Sequence, residues 1–154
     1  MTRASTPADA QFAERVRDSF ARQAVMTTLG ATLEAIEPGR VHIAMAHRPE
    51  LTQQHGFLHA GIVTTALDSA CGYAAFSLMP ADAAVLTIEF KVNLLAPARG
   101  PWLRFEGQVT KAGRTISVVD GRAWQHAGDG TQESLVATMT ATVMTVQGRP
   151  DIHH

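Results

Sequence analysis

Apolar residues first recur at helical spacing. Phe12, Val16 and Phe20 fall on one stripe, while Arg15, Arg17, Asp18 and Arg22 fall off it. This pattern predicts an amphipathic helix. Thr6-Pro7 reads as its start, with Thr as N-cap, Pro at the first helical position and Asp9 in the first turn; Gly30 marks its end. Residues 31 to 47 then read as two strands, ATLEAIE and RVHIAMA, joined by a turn at Pro38-Gly39. After a polar loop comes a long apolar run from about His59 to Leu78, stopped by Pro80. In LTIEFKVNL the period changes to two. Leu86, Ile88, Phe90, Val92 and Leu94 alternate with Thr87, Glu89, Lys91 and Asn93 until Pro97. Leu103, Phe105 and Val109 alternate in the next strand. Turns at Gly113-Arg114 and at Gly128-Asp129-Gly130 lead into two more, the last with Leu135, Ala137, Met139, Ala141 and Val143 on one face. The order is helix, two strands, a long buried helix, then four strands with short turns. It implies an α+β fold with an antiparallel sheet. The chain reads as one domain over 1–154, with 1–6 and 147–154 as flexible ends.

On a helical wheel the long apolar run divides. Val63, Leu67, Ala70, Ala74 and Leu78 form a core face; Gly61, Thr64, Thr65, Asp68, Gly72 and Ala75 form a small, polar one. Asp68 is the only charge in this helix. Burying a carboxylate costs several kcal/mol unless it is paired or hydrogen-bonded. Thr64 or Thr65 could hold it as a structural group; otherwise its place on an open face marks it as functional. The helix start offers the complementary chemistry. The amides of Ala60 and Gly61 lack intrahelical partners and carry the positive end of the helix dipole. They suit a phosphate or the oxyanion of an acyl transfer. Ala60 and Asp68 are about 12 Å apart along the axis, too far to meet one carbonyl carbon. Two antiparallel copies of the helix, related by a two-fold axis, could bring them together.

Composition narrows the choice further. The 154 residues are 45% hydrophobic and 18% charged, enough apolar material for a core, with a net charge of −1 and no basic run. A nucleic-acid partner therefore has no electrostatic footprint. No apolar stretch is long enough to span a membrane, and no secretory leader is apparent, so a cytoplasmic location is expected. Cys71 allows no internal disulfide and reads as a buried thiol. His55 and His59 are spaced i, i+4, but Gly56 stands where the zinc motif HExxH needs Glu, and no metal site is expected.

The segments QQHGFLHAGIVTTALDSACGYAA, LTIEFKVNLLAPARG and VTKAGRT occur in order and at suitable spacing. Together they resemble the PaaI-like hotdog-fold acyl-CoA thioesterases over about residues 20 to 146. The resemblance implies a hotdog fold, an antiparallel sheet wrapped around a long central helix, with dimers or dimers of dimers. It implies an acyl-CoA substrate and no cofactor beyond the coenzyme A that the substrate carries. It gives Asp68 the role of nucleophile or general base, acting across the dimer. Ala60 matches the residue whose N–H polarises the thioester carbonyl, Gln53 the residue that assists it, and His59 the histidine that orients loop and thioester. Thr87 matches a hydroxyl near the reaction centre. Lys111, Gly113 and Arg114 match the segment that meets the coenzyme A nucleotide. The family pattern has Gly where this chain has Ala60; the backbone donor survives, but the methyl could narrow access.

Two other readings share the fold. A non-catalytic acyl-CoA-binding module would keep the Gly-Arg turn and need no carboxylate at 68. A hotdog enoyl-CoA hydratase would need an Asp and a His both at the substrate's α and β carbons, whereas His59 precedes Asp68 at the thioesterase spacing.

Overall fold

The structure is a computed structural model that describes residues 5–152 and His154. Two short helices, α1 (Phe12–Arg22) and α2 (Ala24–Leu29), precede the hairpin β1 (Thr32–Glu37) and β2 (Arg40–Ala46). The long helix α3 (Ala60–Phe76) follows, then β3 (Ala84–Leu94), β4 (Trp102–Lys111), β5 (Ile116–His126) and β6 (Glu133–Val146). The strands make one antiparallel sheet in the order β1-β2-β4-β5-β6-β3. β3 closes the chain crossover and lies at an edge.

The sheet wraps α3. Val63, Leu67, Ala70 and Ala74, the face expected to be core, are buried against Val41, Ile43, Phe105, Val119 and Ala141. Each large apolar side chain so covered contributes about 1.5–3 kcal/mol. Two strand glycines permit the close approach. A Cβ on Gly107 would lie 2.2 Å from the Ala70 carbonyl oxygen, and one on Gly121 would lie 2.9 Å from Cys71 Sγ. The helix therefore rests nearly on the backbone of β4 and β5.

The N-terminal helix differs from expectation. Thr6 and Pro7 do not begin it; Asp9 forms a turn instead, its Oδ1 accepting the Gln11 N–H at 2.9 Å, and α1 starts at Phe12. The helix also breaks at Gln23, whose extended backbone (ψ 95°) separates α1 from α2. The break turns Met26 and Leu29 into the core. Arg15 fixes α1 to the end of α3. It donates to the carbonyls of Pro80 (3.0 Å) and Met79 (2.8 Å), pairs with Asp9 at 3.0 Å, and stacks over the Phe76 ring. The expected loose start lies partly outside the described residues. At the other end, the His154 imidazole lies 2.8 Å from Ser19 Oγ and against Phe76.

The alternation in β3 is interrupted. Thr87 pairs with Val143, but Glu89 pairs with Thr142, so Ile88 is an extra residue in a bulge. Residues directly opposite in a ladder share a face. Phe90, Val92 and Leu94 therefore face the same way as the buried Ala141, Met139 and Ala137, and so does Thr87, opposite buried Val143. Leu86 and Glu89 face the other way. The simple alternation, which put Thr87 with Glu89 and Lys91, is corrected by this bulge. A second irregularity, between Ala123 and Trp124, turns Leu135 away from the core and puts Val136 in.

Candidate active site

Asp68 stands half-buried in the middle of α3, on its open face. Thr87 Oγ1 donates to its Oδ1 at 2.8 Å. Thr64 and Thr65, the hydroxyls considered as its structural partners, turn elsewhere: they donate to the Ala60 and Gly61 carbonyls at 2.8 and 2.7 Å. Asp68 forms no ion pair among the described residues. Burial pushes its carboxyl above the ordinary 3.8, and the Thr87 hydrogen bond only partly offsets this. The result is a carboxylate with a single donor, one oxygen uncommitted and raised basicity. Were Ile88 paired in the ladder and not bulged, with Phe90, Val92 and Leu94 held in place, Thr87 would point away from the helix and this contact could not form.

The start of α3 is prepared in a different way. His59 is its N-cap, and Nδ1 accepts the Gly61 N–H at 2.8 Å. Nδ1 therefore carries no proton, and the neutral ring holds its proton on Nε2. The His59 carbonyl takes the Ile62 and Val63 amides. Of the amides expected to be free, Gly61 is thus used by the cap, while the Ala60 N–H has no acceptor among the described residues. Gln53 lies beside it. Its Oε1 accepts the His55 N–H, which leaves the side-chain NH2 as an uncommitted donor. Gln53 and Ala60 share a cleft of about 340 Å³ whose other walls are apolar, among them Phe57, Val63, Leu94, Leu95 and Val136.

Lys111, Gly113 and Arg114 lie at the β4–β5 turn. Gly113 has no room for a side chain, since a Cβ would come within 2.0 Å of the Ile116 carbonyl oxygen. Its N–H donates to Ser117 Oγ at 3.3 Å. Lys111 and Arg114 are exposed and make no ion pair among the described residues. Ser117 pairs with Val143, and Val143 with Thr87, so the three form one row across β5, β6 and β3. Two strand spacings, about 10 Å, separate the anchor of the Gly-Arg turn from the hydroxyl on Asp68.

The expected residues thus form two groups in one protomer. Asp68, Thr87 and the Lys111–Arg114 turn make one; Gln53, His59 and Ala60 make the other. The helix length between Ala60 and Asp68, about 12 Å, keeps them apart. Among the described residues no cluster of three or more His, Cys, Asp or Glu could hold a metal ion. Cys71 is buried, and burial, with Asp68 and Asp120 nearby, pushes its thiol far up. Three features were missed from the sequence: the bulge that aims Thr87, the capping role of His59, and Arg99, whose guanidinium lies over the Phe57 ring at 5.2 Å. The apolar-to-polar switch in VLTIEF gave no sign of the bulge. Arg99 lies in the quoted LLAPARG segment, but nothing in that segment links it to Phe57.

Comparison with known proteins bears on the family and the fold. Residues 55–131 match the family model described as Thioesterase superfamily, a segment that includes Asp68, Thr87 and the Gly-Arg turn. A relative from Saccharolobus solfataricus, provisionally named an esterase, is 37% identical over 86 residues, 55% of this chain and 60% of that protein. The chain thus spans about three fifths of that relative's length. A crystal structure of a thioesterase family protein from Silicibacter pomeroyi is 58% identical, with a TM-score of 0.86 over 89% of this chain and 99% of that one. The PaaI protein of Escherichia coli, 18% identical, shares the fold with a TM-score of 0.79 over 92% of this chain and 97% of that one. With the sheet-wrapped helix and the matched segment in agreement, the chain belongs to the thioesterase superfamily and has its hotdog fold.

Proposed function

We propose that the protein hydrolyses acyl-CoA thioesters to free acid and coenzyme A at a site shared between two copies of the chain. The observation that carries this reading is the pairing of complementary, uncommitted groups on one helix. Asp68 offers a carboxylate of raised basicity. The Ala60 N–H and the Gln53 amide offer donors at an apolar cleft. A thioester needs both: a base or nucleophile at the carbonyl carbon, and donors at the oxygen that becomes an oxyanion.

The edge strand supports a two-copy site. Leu86, Ile88, Phe90 and Leu94 on β3 are 41%, 54%, 44% and 53% exposed. A long edge strand with exposed apolar side chains is a pairing surface. Antiparallel association of two β3 strands would run two α3 helices side by side and bring Asp68 of one toward Ala60 of the other. The thioester carbonyl would then lie at the Ala60 N–H. The acyl group would occupy the apolar cleft, and coenzyme A would run toward Lys111, Gly113 and Arg114. Asp68 would attack the carbonyl carbon or deprotonate the water that does so; either way the tetrahedral oxyanion collapses and expels the thiolate, and in the first case water then hydrolyses the acyl–Asp68 anhydride to the free acid and restores the carboxylate.

The test uses Ala60→Pro, which removes the one N–H at stake. Ala60 is the first residue of α3, where proline is favoured, and His59 (φ −59°, ψ 139°) has the extended backbone that a following proline requires. Ala60→Pro is expected to fold and to lose about 10²–10³ in kcat. Asp68→Asn is expected to be inactive as well. Refolding the two variants together at equal amounts restores activity, to roughly a quarter of wild type. Half of the dimers are mixed, and each mixed dimer holds one site with both groups intact. No recovery in mixed dimers of demonstrated composition rules out the shared site.

A further inference from the structure

Among the described residues Arg99 is a cation without a counter-ion, next in sequence to a wall of the cleft. It follows Ala98, which lines the cleft, and its guanidinium lies 5.2 Å from the centroid of Phe57, which also lines it. Its backbone is fixed: the N–H groups of Arg99 and Gly100 both donate to Gln125 Oε1 at 2.9 Å. The Leu58 N–H donates to the Ala98 carbonyl at 2.9 Å and ties this loop to the one that carries Phe57. Yet among the described residues the side chain meets no carboxylate and no hydrogen-bond acceptor. Five of the other arginines differ: Arg15, Arg40, Arg48, Arg104 and Arg149 each pair with an acid, whereas Arg114 at the Gly-Arg turn is exposed and already has a proposed ligand.

 Arg17, Arg22 and Arg122 are exposed, and none is adjacent in sequence to a residue that lines the cleft holding Ala60. What sets Arg99 apart is that it combines an unpaired charge, a fixed backbone and an aromatic platform beside that cleft.

We infer that Arg99 recognises an anionic oxygen group on the substrate, either a carboxylate at the far end of the acyl group or a phosphate of the coenzyme. The inference rests on the thioesterase reading for the identity of the ligand. A planar guanidinium held over Phe57, itself a wall of the cleft, leaves its edge N–H groups uncommitted, and these suit a carboxylate or a phosphate. The cleft walls are otherwise apolar, with Gln53 as their one polar side chain, so such a group would find its charged partner only at the rim.

Four thioesters test it: hexanoyl and adipoyl groups, each on coenzyme A and on pantetheine. For Arg99→Ala, kcat/KM is expected to fall about tenfold through KM, and only for the compounds that carry the contacted anion. A loss confined to the two adipoyl esters identifies the acyl carboxylate. A loss confined to the two coenzyme A esters identifies a phosphate. Hexanoyl-pantetheine has neither anion and is expected to be unaffected. An equal loss on all four, or no loss on any, overturns the assignment. The same comparison by calorimetry with the corresponding non-hydrolysable thioethers needs no turnover. A wild type that binds them but hydrolyses no thioester would refute the hydrolase reading while leaving Arg99 open to this binding test.

Discussion

Asp68 is held by one hydroxyl and little else, and its carboxyl lies above the ordinary value because burial penalises the charge. The sign of the effect on stability follows. Below the unfolded value of about 3.8 both states bind the proton and there is no penalty. As pH rises through the raised folded value, the native state must ionise a half-buried group, and stability is lost. Asp68→Asn is therefore expected to raise Tm at pH 8, with the gain shrinking toward pH 3; thermal melts across that range check it. The same raised value places the acid limb of the pH–rate profile above 3.8 in the wild type. At the Gly-Arg turn, Arg114→Ala is expected to raise KM for an acyl-CoA about tenfold and to spare the matching pantetheine thioester, since the guanidinium would meet phosphate. Equal KM changes for both esters would remove that contact. Asp68 and the Ala60 amide were legible as candidates because a charge on an apolar helix and free amides at its start are rare chemistry, whereas Gln53 came only with the family resemblance. The two hydroxyls assigned to hold Asp68 were not, because threonines on a helix can satisfy themselves on the carbonyl four residues back, as Thr64 and Thr65 do.

At the scale of elements, period and turn residues located all six strands and the central helix. The first helix was misplaced. A Thr-Pro pair has the right local chemistry for a helix start, but Arg15 ties Asp9 and the carbonyls of Met79 and Pro80 into one tertiary junction, and Asp9 forms a turn there. Nothing local encodes that junction. Arg15→Ala is expected to cost about 2 kcal/mol in urea unfolding, because buried carbonyls at the end of α3 lose their donor. Arg15→Lys should recover only part of the loss, since one ammonium cannot span the carboxylate and several carbonyls as the guanidinium does. The bulge in β3 was also illegible, because it is set by pairing with β6 and the β3 sequence alternates without a break.

For the whole molecule, the apolar residues of β3 are the main sign of an assembly. A single protomer leaves Ile88, Phe90 and Leu94 about half exposed, at the edge where the sheet ends. Phe90→Glu is expected to leave the circular dichroism of the protomer unchanged and to halve the mass seen by sedimentation. It should also abolish hydrolysis, because each site would lose the residues supplied by the other copy. A monomer that retained full activity would place the whole reaction within one chain. The fold class was readable from the order of elements; the proposal of a two-copy site began from a length, the eight-residue step from Ala60 to Asp68.

The extra residue at Ile88 also bears on how this protein tolerates change. Because it is absorbed as a bulge, the residues on both sides keep their register with β6. Deleting Ile88 would let the ladder run in frame with Thr87 still opposite Val143 and Glu89 still opposite Thr142, so the threonine hydroxyl would keep its aim and every core side chain its place. A length variant that removes the extra residue should therefore fold well and keep its carboxylate supported.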